Sequence, residues 1–99
     1  GTERIPALPN VATFKEQGFS GLEENSWAGL FAPAGTPPEV VSAIHQDIAK
    51  VLATPEFKAK MVELGSLPGG PTPAKFNERF QRDIKQSGET IRRLGMTAE

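Results

Sequence analysis

The side chains able to do covalent or acid–base chemistry in this sequence are few and scattered. Acyl transfer needs a nucleophile and a base within hydrogen-bond reach. The candidates are one histidine, His45, and five serines, Ser20, Ser26, Ser42, Ser66 and Ser87. None of those serines occupies a G-x-S-x-G elbow. His45 lies one position off the apolar stripe of its own helical segment, and the nearby Asp47 points elsewhere. A metal site wants three or four converging ligands, and the chain has no cysteine to supply any, so His45 reads as a residue at a core boundary. Glu23 and Glu24 are adjacent, face opposite ways in an extended segment and cannot share a proton, which makes them a solvated loop rather than an acid–base pair. Gly69 and Gly70 lack the following Lys-Ser/Thr of a phosphate loop and read as a turn between helices. Arg92 and Arg93 close a helix whose C-terminal dipole favours cations. No catalytic residue, metal ligand or cofactor site is assigned, and nothing in these residues points to an enzyme.

Trp27 is the residue with two open readings. On a buried strand it is a core side chain, yet its indole N–H needs an acceptor, and strand ends beside a kink often line clefts. Trp27 and its neighbour Ser26 are therefore the candidate ligand contacts.

Net charge is −1, with acids and bases interleaved, so the electrostatic footprint expected of a nucleic-acid or anionic-membrane partner is missing. The longest apolar stretch, around Trp27 to Ala34, is far short of the ~20 residues that span a bilayer. Ninety-nine residues make one small domain with a modest core. The chain starts at Gly1 with no apolar leader, and any secretory signal is expected outside residues 1–99.

The elements that must position these residues are marked by prolines, threonines and glycines. "GTERIPALPN" carries Pro6 and Pro9 and reads as an irregular connector or hinge. Thr13 and Glu16 match a capping box and Gly18 a stop, giving a helix of one or two turns flanked by Phe14 and Phe19. In "SWAGLFA", Trp27, Gly29 and Phe31 fall on one side and Ala28, Leu30 and Ala32 on the other, so the run predicts a central strand, apolar on both faces. Pro33 ends it and Gly35 turns the chain. Three Thr-Pro starts follow. Thr36 caps a helix with Pro37 at its first position and Glu39 closing the capping box, and its stripe of Val40, Val41, Ile44, Ile48, Val51 and Leu52 ends near Ala53. Thr54 and Pro55 open a second helix, with Phe57, Met61 and Leu64, that stops at Gly65. Thr72 and Pro73 open the longest, with Phe76, Phe80, Ile84, Ile91 and Leu94, that stops at Gly95. Gly88 inside it costs about 1 kcal/mol unless close packing needs a small residue.

The ordered string "LPNVATFKEQGFSGLEENSWAGLFAPAGTPPEVV" resembles the C-terminal part of the substrate-binding proteins of tripartite tricarboxylate transporters, the Bug receptor family. A Leu-Pro-Asp-Val-Pro-Thr-Phe-like segment precedes a Trp-x-Gly-Leu-x-Ala-Pro-Ala-Gly-Thr-Pro segment there. The latter is matched by Trp27, Gly29, Leu30, Ala32, Pro33, Ala34, Gly35, Thr36 and Pro37. "LATPEFKAKMVELG" and the closing helix are similar too, so the resemblance spans the chain. Asn10 stands where the family usually has Asp, and Ala12 where it usually has Pro, which implies a less rigid hinge-side loop.

The resemblance implies an α/β fold: a C-terminal fragment of a type-2 periplasmic-binding, Venus-flytrap architecture, mostly helical with one or two strands. Residues 1–25 would form the interlobe crossover or hinge with its short helix, and residues 26–99 the strand and three helices that complete the first lobe. The implied function is a periplasmic receptor that delivers a small carboxylate to membrane transporter subunits, with the ligand held mainly by loops that precede this segment. The alternative is a stand-alone helical module for protein–protein interaction. With the rest of its sheet absent, the isolated chain is expected to form a homo-oligomer, most simply a twofold dimer in which strands pair or helices are exchanged.

Overall fold

The structure, a computed structural model, describes residues 1–22 and 25–98. Glu23 and Glu24, read above as a solvated loop, lie outside the described residues. Three helices follow one another: α1 (Pro38–Leu52), α2 (Pro55–Glu63) and α3 (Pro73–Leu94). α1 packs against both of the others.

Each helix begins at a Thr-Pro signal, but the three starts work differently. At α3 the Thr72 hydroxyl accepts from the Lys75 N–H at 3.3 Å, as an N-cap should. At α1 and α2 the hydroxyl is spent as a donor: Thr36 Oγ1 donates to the Pro33 carbonyl and Thr54 Oγ1 to the Val51 carbonyl, both at 2.7 Å. Neither helix has a side-chain cap bond, and α1 starts one residue later than expected, with Pro37 as its N-cap. The difference lies in what precedes each threonine. Thr36 closes a turn, with its own N–H on the Pro33 carbonyl at 3.2 Å and Gly35 at φ +83° in the position that a type II turn reserves for glycine. Thr54 follows the last turn of α1 directly. Each turn brings a carbonyl three residues back into reach, whereas Thr72 follows the irregular loop of residues 66–71. The stops are as expected: Gly65 and Gly95 take positive φ of 72° and 63°, and the next residues, Ser66 and Met96, donate back to the Met61 and Ile91 carbonyls.

Thr13 and Glu16 form their capping box. The Thr13 N–H donates to Glu16 Oε2 at 2.7 Å and the Glu16 N–H to Thr13 Oγ1 at 3.1 Å. The box closes a single turn over residues 14–18 rather than a helix, because Gly18, at φ +89°, ends it at once. Phe14 and Phe19 meet edge to face across it, centroids 6.3 Å apart. Arg4 ties the preceding connector to this turn, with Nε 3.0 and 2.9 Å from the two Glu16 oxygens and Nη1 donating to the Pro9 carbonyl.

The expected strand is corrected: no strand occurs among the described residues. Residues 26–32 keep the extended, alternating geometry but make no backbone–backbone hydrogen bond to another described residue. A ladder is a property of two chain segments, and nothing else here supplies the second. The alternation survives. Trp27, Gly29 and Phe31 face α3, while Leu30 on the opposite side is 78% exposed.

Correspondingly, no described residue is fully buried. An aromatic cluster joins Trp27 and Phe31 from the extended run to Phe76 and Phe80 from α3, at centroid separations of 5.0–6.5 Å, with Phe31 itself 62% exposed. Farther along α3 the stripe is uncovered, with Ile84 52%, Ile91 46% and Leu94 62% exposed. The radius of gyration is 16.7 Å, where a compact chain of this length has about 13 Å.

Candidate functional site

The two residues singled out as ligand contacts, Ser26 and Trp27, line a cleft of about 680 Å³ between the start of the extended run and the middle of α3. The facing wall is polar and charged: Arg79, Arg82, Asp83 and Ser87, with Phe80 beneath. Spacing explains the wall. Phe76, Phe80 and Asp83 stand at i, i+4 and i+7, so one stripe carries two rings and then a carboxylate.

That carboxylate answers the question left open at Trp27. The indole Nε1–H donates to Asp83 Oδ2 at 2.6 Å, across 56 positions of sequence. Arg79 Nε lies 3.6 Å and Arg82 Nε 3.9 Å from Asp83, and Arg79 Nη2 also donates to the Asn25 carbonyl at 3.1 Å. Arg79 Nε is enclosed and has no hydrogen-bond partner of its own; at 3.6 Å its link to Asp83 is ionic. Trp27 is half-buried, and its indole donor is committed within the chain, which leaves the ring as its free surface in the cleft. Ser26 is exposed at the rim.

Charge accounting gives the cleft two guanidinium groups against one carboxylate. Such a surface can hold an anion or a polar group by hydrogen bonds. His45 sits half-buried in α1 and does not line the cleft. Among the described residues no group of three or more His, Asp or Glu side chains is placed to hold a metal ion, and no helix is long and apolar enough to cross a membrane.

Sequence reasoning missed Arg79, Arg82 and Asp83. A usable signal was present: Asp83 is a carboxylate on an apolar stripe, which needs a donor, and Trp27 is a half-buried donor, which needs an acceptor.

A second titratable feature lies at the N-terminal end. The Arg4 guanidinium, seconded by the Thr13 N–H, holds the Glu16 carboxyl down at about 2, and Glu16 in turn raises Arg4. Both side chains are 44% exposed, so this is a surface clasp and not a ligand site.

Comparison with known proteins supplies what geometry does not. The family model described as the tripartite tricarboxylate transporter family receptor matches residues 1–96. The chain belongs to that receptor family. It is 34% identical over 85 residues to a "UPF0065 protein in tcbD-tcbE intergenic region" of Pseudomonas sp., a match covering 85% of this chain and 25% of the relative. It is 27% identical over 95 residues to the "UPF0065 protein in the TAR-I ttuE-ttuC' intergenic region" of Agrobacterium vitis, covering 93% and 28%. It is also 27% identical over 96 residues to the "UPF0065 protein in gbd 5'region" of Cupriavidus necator, covering 97% and 29%. The chain thus spans between a quarter and three-tenths of the length of these curated relatives. No solved structure matches it. As a member of the receptor family the chain is mostly helical, and the two-lobed architecture expected from the resemblance is not itself visible in it.

Proposed function

We propose that these 99 residues act as part of a periplasmic solute receptor that binds a small carboxylate and delivers it to the membrane subunits of a tripartite tricarboxylate-type transporter. The family match over residues 1–96 carries this reading. In this reading residues 1–25 are the crossover between two lobes, and residues 26–99 complete the first. The described geometry is compatible with that division: the Arg4–Glu16 clasp organises the crossover, and the aromatic cluster joins the run of residues 26–32 to α3.

Ser26 and Trp27 are assigned to the ligand side of the cleft, Ser26 through its exposed hydroxyl and Trp27 as an aromatic wall whose orientation Asp83 fixes. The role is binding, without turnover or cofactor. The other reading, a stand-alone helical interaction module, is not favoured by the family match.

The test is a chimera in which the matching segment of the Cupriavidus necator relative is replaced by residues 1–96. Export to the periplasm is checked by fractionation, and binding by calorimetric titration with small mono-, di- and tricarboxylates. A folded, exported chimera that binds one of these carboxylates, and binds it at least tenfold more weakly with Ser26→Ala and Trp27→Leu together, is the expected result. A folded chimera that binds none of them refutes the receptor reading. Unaltered affinity in the double variant refutes the assignment of Ser26 and Trp27 alone.

A further inference from the structure

Asp83 has more donors around it than it serves. Its Oδ2 accepts the Trp27 indole N–H at 2.6 Å, while Arg79 Nε stands 3.6 Å from that same oxygen, outside hydrogen-bond distance. Arg82 Nε is 3.9 Å from the other oxygen, Oδ1. The Arg79 guanidinium is engaged elsewhere, with Nη2 donating to the Asn25 carbonyl at 3.1 Å. Nε and Nη2 belong to one rigid planar group and cannot be placed independently. Among the described residues, Arg79 Nε is the enclosed side-chain polar atom left without a hydrogen-bond partner. An enclosed donor beside an acceptor that another donor occupies marks an arrangement with an alternative.

We propose that Arg79 and Asp83 form a latch on α3 with two arrangements, one that fastens the chain around Ser26 to the helix and one that releases it. The structure shows the fastened arrangement. Asp83 holds Trp27 and Arg79 holds Asn25, so the residues on either side of Ser26 are tied to one turn of α3. In the released arrangement Arg79 and Asp83 hold each other. They stand at i and i+4, neighbours on the helix surface, and the Nε–Nη2 fork of a guanidinium fits the two oxygens of a carboxylate. Release therefore leaves neither charge without a partner, which is the condition for the docking to be reversible. Two features keep the latch fastened at rest. Trp27 meets Phe76 and Phe80 edge to face, with centroids 5.0 and 6.0 Å apart, and a cation placed N-terminal to its anion is the weaker order for a helical pair.

The two tethers support each other. Once the indole leaves Asp83, the carboxylate is free to take the whole fork, and it is a stronger acceptor for a guanidinium than the neutral Asn25 carbonyl. The Asn25 tether then goes with the Trp27 tether. Arg79 is in this sense a positioning residue, acting on Ser26 and Trp27 through Asn25 and Asp83. Every contact of the latch lies within the chain, and the contacts are exchanged rather than lost. The latch does not rest on the receptor reading; its consequence there, that release withdraws Ser26 and Trp27 from the cleft together, does.

The test is nuclear magnetic resonance on the 99-residue chain, which needs no ligand and so is independent of the chimera. The Arg79 Nε–H signal is assigned by its loss in Arg79→Met. Trp27→Phe keeps a ring in the aromatic cluster and removes the indole N–H. In that variant Arg79 Nε–H is expected to exchange with water at least about threefold more slowly than in the parent, as a newly made hydrogen bond requires. The Asn25 carbonyl carbon is expected to move upfield as it loses its donor. In an Asp83→Ala background the same substitution is expected to have neither effect. Trp27→Met is the second variant and is expected to respond as Trp27→Phe does, with circular dichroism confirming the helices in each. Unchanged or faster Arg79 Nε–H exchange in these Trp27 variants overturns the proposal, and so does an Asn25 carbonyl that stays in place. An Asn25 shift of equal size without Asp83 overturns it as well, because the nearness of residues 25 and 27 would then account for the response.

Discussion

Replacing Asp83 by Ala removes the one side-chain hydrogen bond that, among the described residues, ties the extended run to α3. The indole N–H of Trp27 loses a charged acceptor at 2.6 Å, and a hydrogen bond to a charged group contributes about 1.5–3 kcal/mol. Two corrections pull the figure down. Asp83 is 30% exposed, so water replaces part of the lost partner, and Ala is the better helix former by up to ~0.7 kcal/mol. The Arg79 ion pair at 3.6 Å adds a few tenths of a kcal/mol at most. The net expectation is a loss of about 1–2 kcal/mol, or roughly 5–15 °C in Tm for a domain of this size. Trp27 is the single tryptophan, so its emission reports the anchoring directly while far-ultraviolet circular dichroism follows the helices during urea unfolding. Protein concentration is held fixed, because any self-association makes stability depend on it. The decisive measurement is a double-mutant cycle with Trp27→Phe, followed by circular dichroism, with an expected coupling of about 1–2 kcal/mol. Additivity within ~0.5 kcal/mol, together with unchanged Trp27 emission in Asp83→Ala, would refute the claim that this hydrogen bond holds the cleft together.

Gly29→Ala drives a methyl group into the Phe76 ring, since the added Cβ would stand 2.5 Å from Cζ. A loss of about 1–3 kcal/mol is expected by urea unfolding, and Phe76→Leu in the same chain should recover part of it. Gly88→Ala should stabilise the chain by about 0.5–1 kcal/mol in a thermal melt, because the position is inside α3 and a Cβ there meets only the tip of Arg92 at 3.6 Å. The Arg4–Glu16 clasp is predicted to weaken in acid. Glu16 titrates at about 2 in the folded chain against an ordinary 4.5, so its contribution is complete above about 4.5 and disappears as pH falls towards 2. Carboxyl chemical shifts of Glu16 should show that midpoint, and Arg4→Gln should move it back towards the ordinary value.

The sequence made the helices legible and left the sheet invisible. Helix signals are local: Thr72 with Pro73, and Gly65 and Gly95 at the stops, each act within one turn, and each does in the structure what its residue type requires. The capping box at Thr13 and Glu16 formed for the same reason, although Gly18 cut it to one turn. Two starts were misread in detail. Thr36 and Thr54 have the right type and spacing for caps, but a carbonyl three residues back competes for the same hydroxyl, and that depends on the preceding turn. In "SWAGLFA" the alternation correctly gave an extended run with Trp27, Gly29 and Phe31 on one side. Whether such a run becomes a strand is decided by a second segment, and no described part of this chain provides it.

The cleft shows the same divide between local and distant information. Ser26 and Trp27, which line the cleft, are singled out by the sequence because an indole N–H that needs an acceptor beside a kink is a local oddity. Asp83 was passed over because a carboxylate in a long charged helix is ordinary until its stripe is counted from Phe76. The two halves of the hydrogen bond stand 56 positions apart, and each alone has a bland explanation. Read as a pair, they are two unmet needs of opposite sign on faces that the aromatic residues already bring together. The rule that follows is to match such unmet needs across a chain before assigning either to a ligand. Here it commits the indole N–H to Asp83, and leaves the Ser26 hydroxyl and the guanidinium groups of Arg79 and Arg82 among the polar groups that the proposed reading has available on this face of the cleft.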